Sequence, residues 1–214
     1  MLFDAIRNGN ADEVRALLAA DPGLFDARTP EGATPVQWAV YTRHAELAPI
    51  LLASRPPDFF EACVLGKIAR VTDLLNADPA LANAHSRDGF TGLGFACYFR
   101  HPELAALLLD READPSLAAT NALGVAPLHS AVASNLPEVV DLLLARGADP
   151  NPREGSGMTP LHTAAAVGSR DLVARLLDRG ADPRARSNDG KTPADVARQY
   201  GHAEIAQSLE SEAC

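Results

Sequence analysis

Apolar and polar residues along this chain follow a helical rhythm that restarts at regular intervals. The clearest instance runs from Leu161-His162-Thr163-Ala164-Ala165-Ala166-Val167-Gly168 to Leu176-Leu177. It has an apolar residue, an alanine three places on, a break near the eighth place, then a paired leucine. Apolar residues three and four apart form one stripe on a helix, and the break divides the segment into two short helices. The pattern restarts near residues 2, 36, 59, 93, 128, 161 and 194, at spacings of 34, 23, 34, 35, 33 and 33 residues. A leucine pair closes each copy except the last, where Ser208-Leu209-Glu210 stands instead.

Local signals agree with paired helices. Gly9, Gly66, Gly168 and Gly201 stand at the break, and glycine accepts the left-handed geometry that ends a helix. Pro102 and Pro137 open second helices and are followed by glutamate. Proline at the first helical position loses no intrahelical bond, and the acid meets the positive end of the helix dipole. One such pair cannot bury its apolar face alone, so the pairs are expected to stack and bury a continuous strip of leucine and alanine. Ala5, Ala39, Ala62, Ala96, Ala131, Ala164 and Ala197 share one slot. A larger side chain there would overpack adjacent first helices. The closing helix carries Gln207, Ser208, Glu210 and Ser211 where inner copies carry leucines, a polar face suited to capping a stack.

Thr159-Pro160-Leu161-His162-Thr163-Ala164 matches the T-P-L-H-x-A signature of the ankyrin repeat in full, and Ala126-Pro127-Leu128-His129-Ser130-Ala131 matches with one change. Thr34-Pro35-Val36-Gln37-Trp38-Ala39 and Thr192-Pro193-Ala194-Asp195-Val196-Ala197 match in part. The chain thus resembles the ankyrin-repeat family over nearly its whole length. The resemblance implies an all-α solenoid of stacked helix-turn-helix pairs with short β-turn fingers, forming a single domain over 1–214. It also implies that His129 and His162 hydrogen-bond backbone near the turns. Two departures stand out. The 23-residue spacing leaves no room for a finger between the second and third copies, where Ser54-Arg55-Pro56-Pro57-Asp58 forms a taut link, and a gap in the finger row is expected there. Residues 2–57 and 59–114 also align with 22 identities in 56 places, which reads as a duplicated two-repeat unit.

Composition narrows the function. The formal net charge of −9 disfavours phosphate backbones, so no nucleic acid is expected. No run reaches the roughly 20 apolar residues of a membrane span, and the N-terminus is not a secretory signal; no membrane partner and a cytoplasmic location are expected. Cys63, Cys97 and Cys214 lack paired spacing and read as small buried thiols. Histidines sharing a slot in neighbouring copies would lie on the order of 10 Å apart, too far to share a metal. His44, His101 and His202 follow the break and are expected to cap or face solvent. Ser156, between Gly155 and Gly157, reads as a turn residue rather than a nucleophile. No cofactor, metal or catalytic activity is expected.

The resemblance implies a partner protein docked on the concave face, with the chain a monomer. Mapped onto this sequence, that face gathers Tyr41, Thr42, Arg43, Phe90, Tyr98, Phe99, Arg100 and Met158. Tyrosine and arginine are the types enriched at interface hot spots. Arg43 and Arg100 replace the break glycine, at about 1 kcal/mol each if left-handed. The competing reading is that the aromatics fill the space of the missing finger. Trp38 and Phe95 are expected in the core. A scaffold or interaction module is the leading function; a regulatory or chaperone subunit of one enzyme is the alternative.

Overall fold

The structure, a computed structural model, describes residues 1–213. Its helices fall in pairs: α1 Leu2–Arg7 with α2 Ala11–Ala20, α3 Pro35–Tyr41 with α4 Ala48–Leu51, and α5 Phe59–Val64 with α6 Ile68–Ala77. They continue as α7 Gly92–Tyr98 with α8 Pro102–Asp110, α9 Pro127–Ala133 with α10 Pro137–Ala145, α11 Pro160–Val167 with α12 Arg170–Asp178, and α13 Pro193–Gln199 with α14 Ala203–Glu212. Each first helix packs on the next first helix, from α1 on α3 through α11 on α13. This is the linear order of an all-α solenoid. The seven slot alanines are all buried, which lets neighbouring first helices approach closely.

Caps set the helix starts. Thr34, Asp58, Thr91 and Thr192 each accept the backbone N–H three residues on, filling one donor that the helix cannot. Between pairs, short loops project as fingers closed by backbone bonds: Thr29 to Ala33, Ser86 to Phe90, Ala119 to Val125, Glu154 to Met158 and Ser187 to Lys191. Backbone bonds tie the later fingers in a row: Thr120 N–H donates to Gly89, Gly155 to Leu123 and Asn188 to Ser156.

The fully buried residues of the strip fall into two clusters, bridged by the half-buried Val40, Tyr41 and Leu65. Residues from Leu2 to Leu51 form one cluster and those from Phe59 to Leu209 a second. The division has a local cause. Helix α4 has only four residues and follows a 3₁₀ turn over Ala45–Leu47, so the second pair offers little surface to the third. Other contacts hold the junction. Arg55 donates to both Glu61 oxygens at 2.6 and 2.8 Å, and the Asp58 N–H donates to Glu61 at 2.9 Å. No finger lies in the link between α4 and α5, yet the flanking fingers close the space: a methyl built at Gly32 would stand 2.8 Å from the Arg87 backbone. The expected gap in the row is therefore filled.

His44, His101 and His202 also differ from expectation. Their rings lie against Gly9, Gly66 and Gly168 of the preceding pair, each within 2.8 Å of where a methyl would stand. His101 Nε2 reaches the Val64 carbonyl at 3.1 Å, and His202 Nε2 the Ala166 carbonyl at 3.2 Å. Glycine leaves room for an imidazole that pins one pair to the next.

The two T-P-L-H histidines bond backbone as the resemblance implies: His129 Nε2 to the Met158 carbonyl at 3.1 Å and His162 Nε2 to that of Lys191 at 3.0 Å. They differ at the other nitrogen. Thr159 Oγ1 lies 2.9 Å from His162 Nδ1, whereas His129 Nδ1 is buried with no partner, because Ala126 stands where Thr159 does. Ala126→Thr should therefore stabilise the chain by about 1 kcal/mol. That corresponds to about 2–4 °C in a thermal melt; an unchanged or lowered midpoint would refute it.

Candidate functional site

Four of the predicted surface residues, with Phe95 expected in the core, come together where the second and fourth pairs meet beside the third. Tyr41 at the end of α3 stacks on Phe99, with centroids 5.9 Å apart and planes 4° off parallel. Phe95 lies 6.2 Å from both rings, and Phe90 lies 5.4 Å from Phe95. Tyr98 meets Phe99 edge-on at 5.1 Å. Edge-to-face and offset arrangements are the favoured aromatic geometries. The shortened link lets α3 and its finger reach α7 and its finger, so the cluster is a consequence of the missing finger.

A hydrogen bond fixes the centre of this cluster. The Tyr41 hydroxyl donates to Asp88 Oδ2 at 2.5 Å, and the Ser86 hydroxyl donates to Asp88 Oδ1 at 2.5 Å. Burial, then the adjacent Asp88 carboxylate, pushes the Tyr41 phenol far above its ordinary range, so it remains a neutral donor. Tyr41 has no free polar edge, and its ring is what the surface presents.

Three adjoining hollows share these side chains. The central one, about 280 Å³, is lined by Tyr41, Phe90, Phe95, Tyr98, Phe99, Leu123, Val125 and Ser130 among others. A trough of about 610 Å³ continues past Trp38 and Asp88 toward the Thr29 finger. Another of about 530 Å³ continues past Arg43, Arg100 and Asn135 along the helix ends. Tyr41 borders all three. Tyr98 and Leu123 are 58% and 54% exposed, which is unusual for large apolar surface beside a concavity.

Arg43 and Arg100 have φ of 67° and 62°, the left-handed region that asparagine occupies at residue 135 and glycine at the remaining breaks. Two predicted residues lie elsewhere. The Thr42 hydroxyl turns back to the Trp38 carbonyl at 2.8 Å and serves the end of α3. Met158 sits on the finger before α11, where its carbonyl receives His129, and it lines none of these hollows. Both residues lie outside the cluster for one reason: position within a repeat does not say which repeats are drawn together. Phe95 is buried as expected. Trp38 is only half-buried, since its Nε1 donates to the Phe3 carbonyl at 3.0 Å and its ring borders the outer trough. Leu123 was not anticipated. Its finger, 119–125, is two residues longer than the other fingers, and the 35-residue spacing is the trace of this in the sequence.

The buried Cys63 and Cys97 are free thiols, and burial pushes both up from the ordinary thiol range; such thiols are inert. Cys214 lies outside the described residues. Among the described residues no cluster of three His, Cys, Asp or Glu could hold a metal, and no helix is long and apolar enough to cross a membrane.

Family models described as ankyrin repeats (3 copies) and ankyrin repeats (many copies) match residues 59–154 and 149–197, together more than half of the chain. The chain belongs to the ankyrin-repeat family. Ankyrin repeats are generally protein–protein interaction modules without catalytic activity of their own. Within this ankyrin-repeat protein, the aromatic groove is the part of the finger-bearing surface that departs from the regular pattern.

Proposed function

We propose that the chain is a single-domain interaction module of seven repeats, monomeric by itself, that binds a partner protein in the groove between Tyr41, Tyr98 and Leu123. The observation that supports this is the pairing of a rigid, hydrogen-bonded aromatic base with two large apolar side chains left open at its rim. Buried aromatic anchors in desolvated pockets carry most interface energy, and a preorganised surface loses little entropy on binding. The net charge of −9 adds to the case for a protein rather than a nucleic acid.

The test combines Tyr98→Ala with Leu123→Ala in the full chain. Both side chains are exposed, so the melting curve should stay within about 0.5 kcal/mol of the parent. Binding of a partner first recovered by pull-down and then purified should weaken at least tenfold in titration, as expected for loss of two anchors worth more than 1 kcal/mol each. Unchanged affinity with an unchanged melt would move the docking site to another face; collapse of the fold would make these residues structural.

A further inference from the structure

We propose that the groove takes an extended segment of the partner that places one apolar side chain in the central hollow and carboxylates against Arg43 and Arg100. This rests on the docking role proposed above and adds the chemistry and direction of the ligand. The central hollow, about 280 Å³, lies just below the roughly 300–1,000 Å³ of sites that enclose whole small ligands. It suits one or two side chains, and the troughs on either side suit the chain leading to and from them. Its walls are mainly aromatic rings with Leu123 and Val125. Ser130, 7% exposed, borders it and enters no side-chain hydrogen bond among the described residues. That hydroxyl is a polar contact for the backbone beside the anchor.

Charge gives the direction. The trough past the helix ends is lined by Arg43 and Arg100 and by no carboxylate. Neither arginine pairs with an acid among the described residues; Arg100 donates to the Ser134 carbonyl. The opposite trough carries Arg87, but also Glu31 and the already occupied Asp88. On a chain of net charge −9, the Arg43–Arg100 end is a local cationic site, and complementarity of this kind selects partners and speeds encounter. Both arginines also stand in left-handed backbone where the equivalent breaks at residues 9, 66, 168 and 201 carry glycine and that at 135 the better-tolerated asparagine. The fold does not need arginine there, and strain held at a surface cleft points to use of the side chain.

The conformation supplies a clean variant. Arg43→Gly with Arg100→Gly relieves the backbone and should melt at or above the parent temperature. A random peptide library displayed on phage is panned against the full chain, and enriched peptides are synthesised and titrated by fluorescence anisotropy. The expected peptides carry an aliphatic or aromatic residue within a few positions of aspartate or glutamate. Their Kd should rise at least tenfold in the glycine variant and with added salt, and at least tenfold in Tyr98→Ala/Leu123→Ala. Neutral or basic peptides lost in the alanine variant but unaffected by the glycine variant would overturn the acidic preference while leaving the groove reading intact. Enrichment only of peptides indifferent to both variants, or self-association of the chain that the alanine variant abolishes, would overturn both.

Discussion

Glu61→Ala destabilises the folded chain by about 3 kcal/mol and lowers the melting midpoint on the order of 10 °C. Glu61 is fully buried, and its two oxygens hold Arg55 and the Asp58 N–H. Removing it leaves Arg55 half-buried without its counter-charge and strips the acceptor from the start of α5. The position matters as much as the pair. Glu61 lies where the two core clusters meet, bridged only by half-buried apolar side chains such as Val40, Tyr41 and Leu65. Asp26 provides the contrast: it lies 3.6 Å from Arg55 and is 83% exposed, so Asp26→Ala should change stability by less than about 0.5 kcal/mol. Equal effects from the two variants would show that the junction does not depend on the buried pair.

The same site has a pH signature. Burial alone would raise the Glu61 carboxyl, but the Arg55 hydrogen bonds and the Asp58 N–H outweigh it and hold the group below the usual carboxylate range. A carboxyl lowered in the folded state stabilises above its unfolded pKa, and that stability disappears as pH falls through the folded value. Parent and Glu61→Ala should therefore melt far apart at neutral pH and converge in acid. Asp58 moves the other way, raised by burial and then by the charge of Glu61, and removing Glu61 relieves that second effect. A separation of midpoints that persists unchanged into strong acid would rule out the charged pair as the source.

What the sequence made legible is whatever repeats. Thr159, Thr192 and their prolines mark helix starts, the slot alanines mark the tight contacts, and both agree with the structure because each is decided within one repeat. That Tyr41, Phe90, Tyr98 and Phe99 lie near one surface was also legible, since Tyr41 and Tyr98 occupy equivalent positions in the duplicated unit, but the stacking of their rings was not. Contacts that depend on a difference between repeats were not. The Tyr41–Asp88 bond joins residues 47 apart and exists only because one finger is absent. The core divides because α4 is one turn long, and Pro49 and the Ala45–Leu47 turn do not advertise that outcome. Met158 is bound into the helix–finger network by a histidine of the preceding repeat, which exposure patterns within its own repeat do not reveal.

The glycine–histidine contacts, likewise invisible within one repeat, give the second large effect. Gly168→Ala should cost about 2 kcal/mol or more, against about 1 kcal/mol for Gly201→Ala. Both glycines are left-handed, with φ of 77° and 83°, so both substitutions carry the same backbone penalty. They differ in surroundings. A methyl at residue 168 would lie 2.3 Å from the His202 ring, whereas one at 201 meets nothing within 4 Å. The ring must swing away from Gly168 and give up its bond to the Ala166 carbonyl, a further loss of about 1 kcal/mol. A double-mutant cycle isolates this loss. His202→Ala alone removes the bond; in the Gly168→Ala background the bond is already gone, so the second substitution should cost almost nothing, and the pair should be less than additive by about 1 kcal/mol. Urea unfolding monitored by circular dichroism, with amide exchange reporting α11, α13 and α14, measures each corner. If the two glycine substitutions cost the same and the cycle closes additively, the imidazole does not pin the last pair, and the stability of that end rests on its apolar packing, Val196, Ile205 and Leu209 among it.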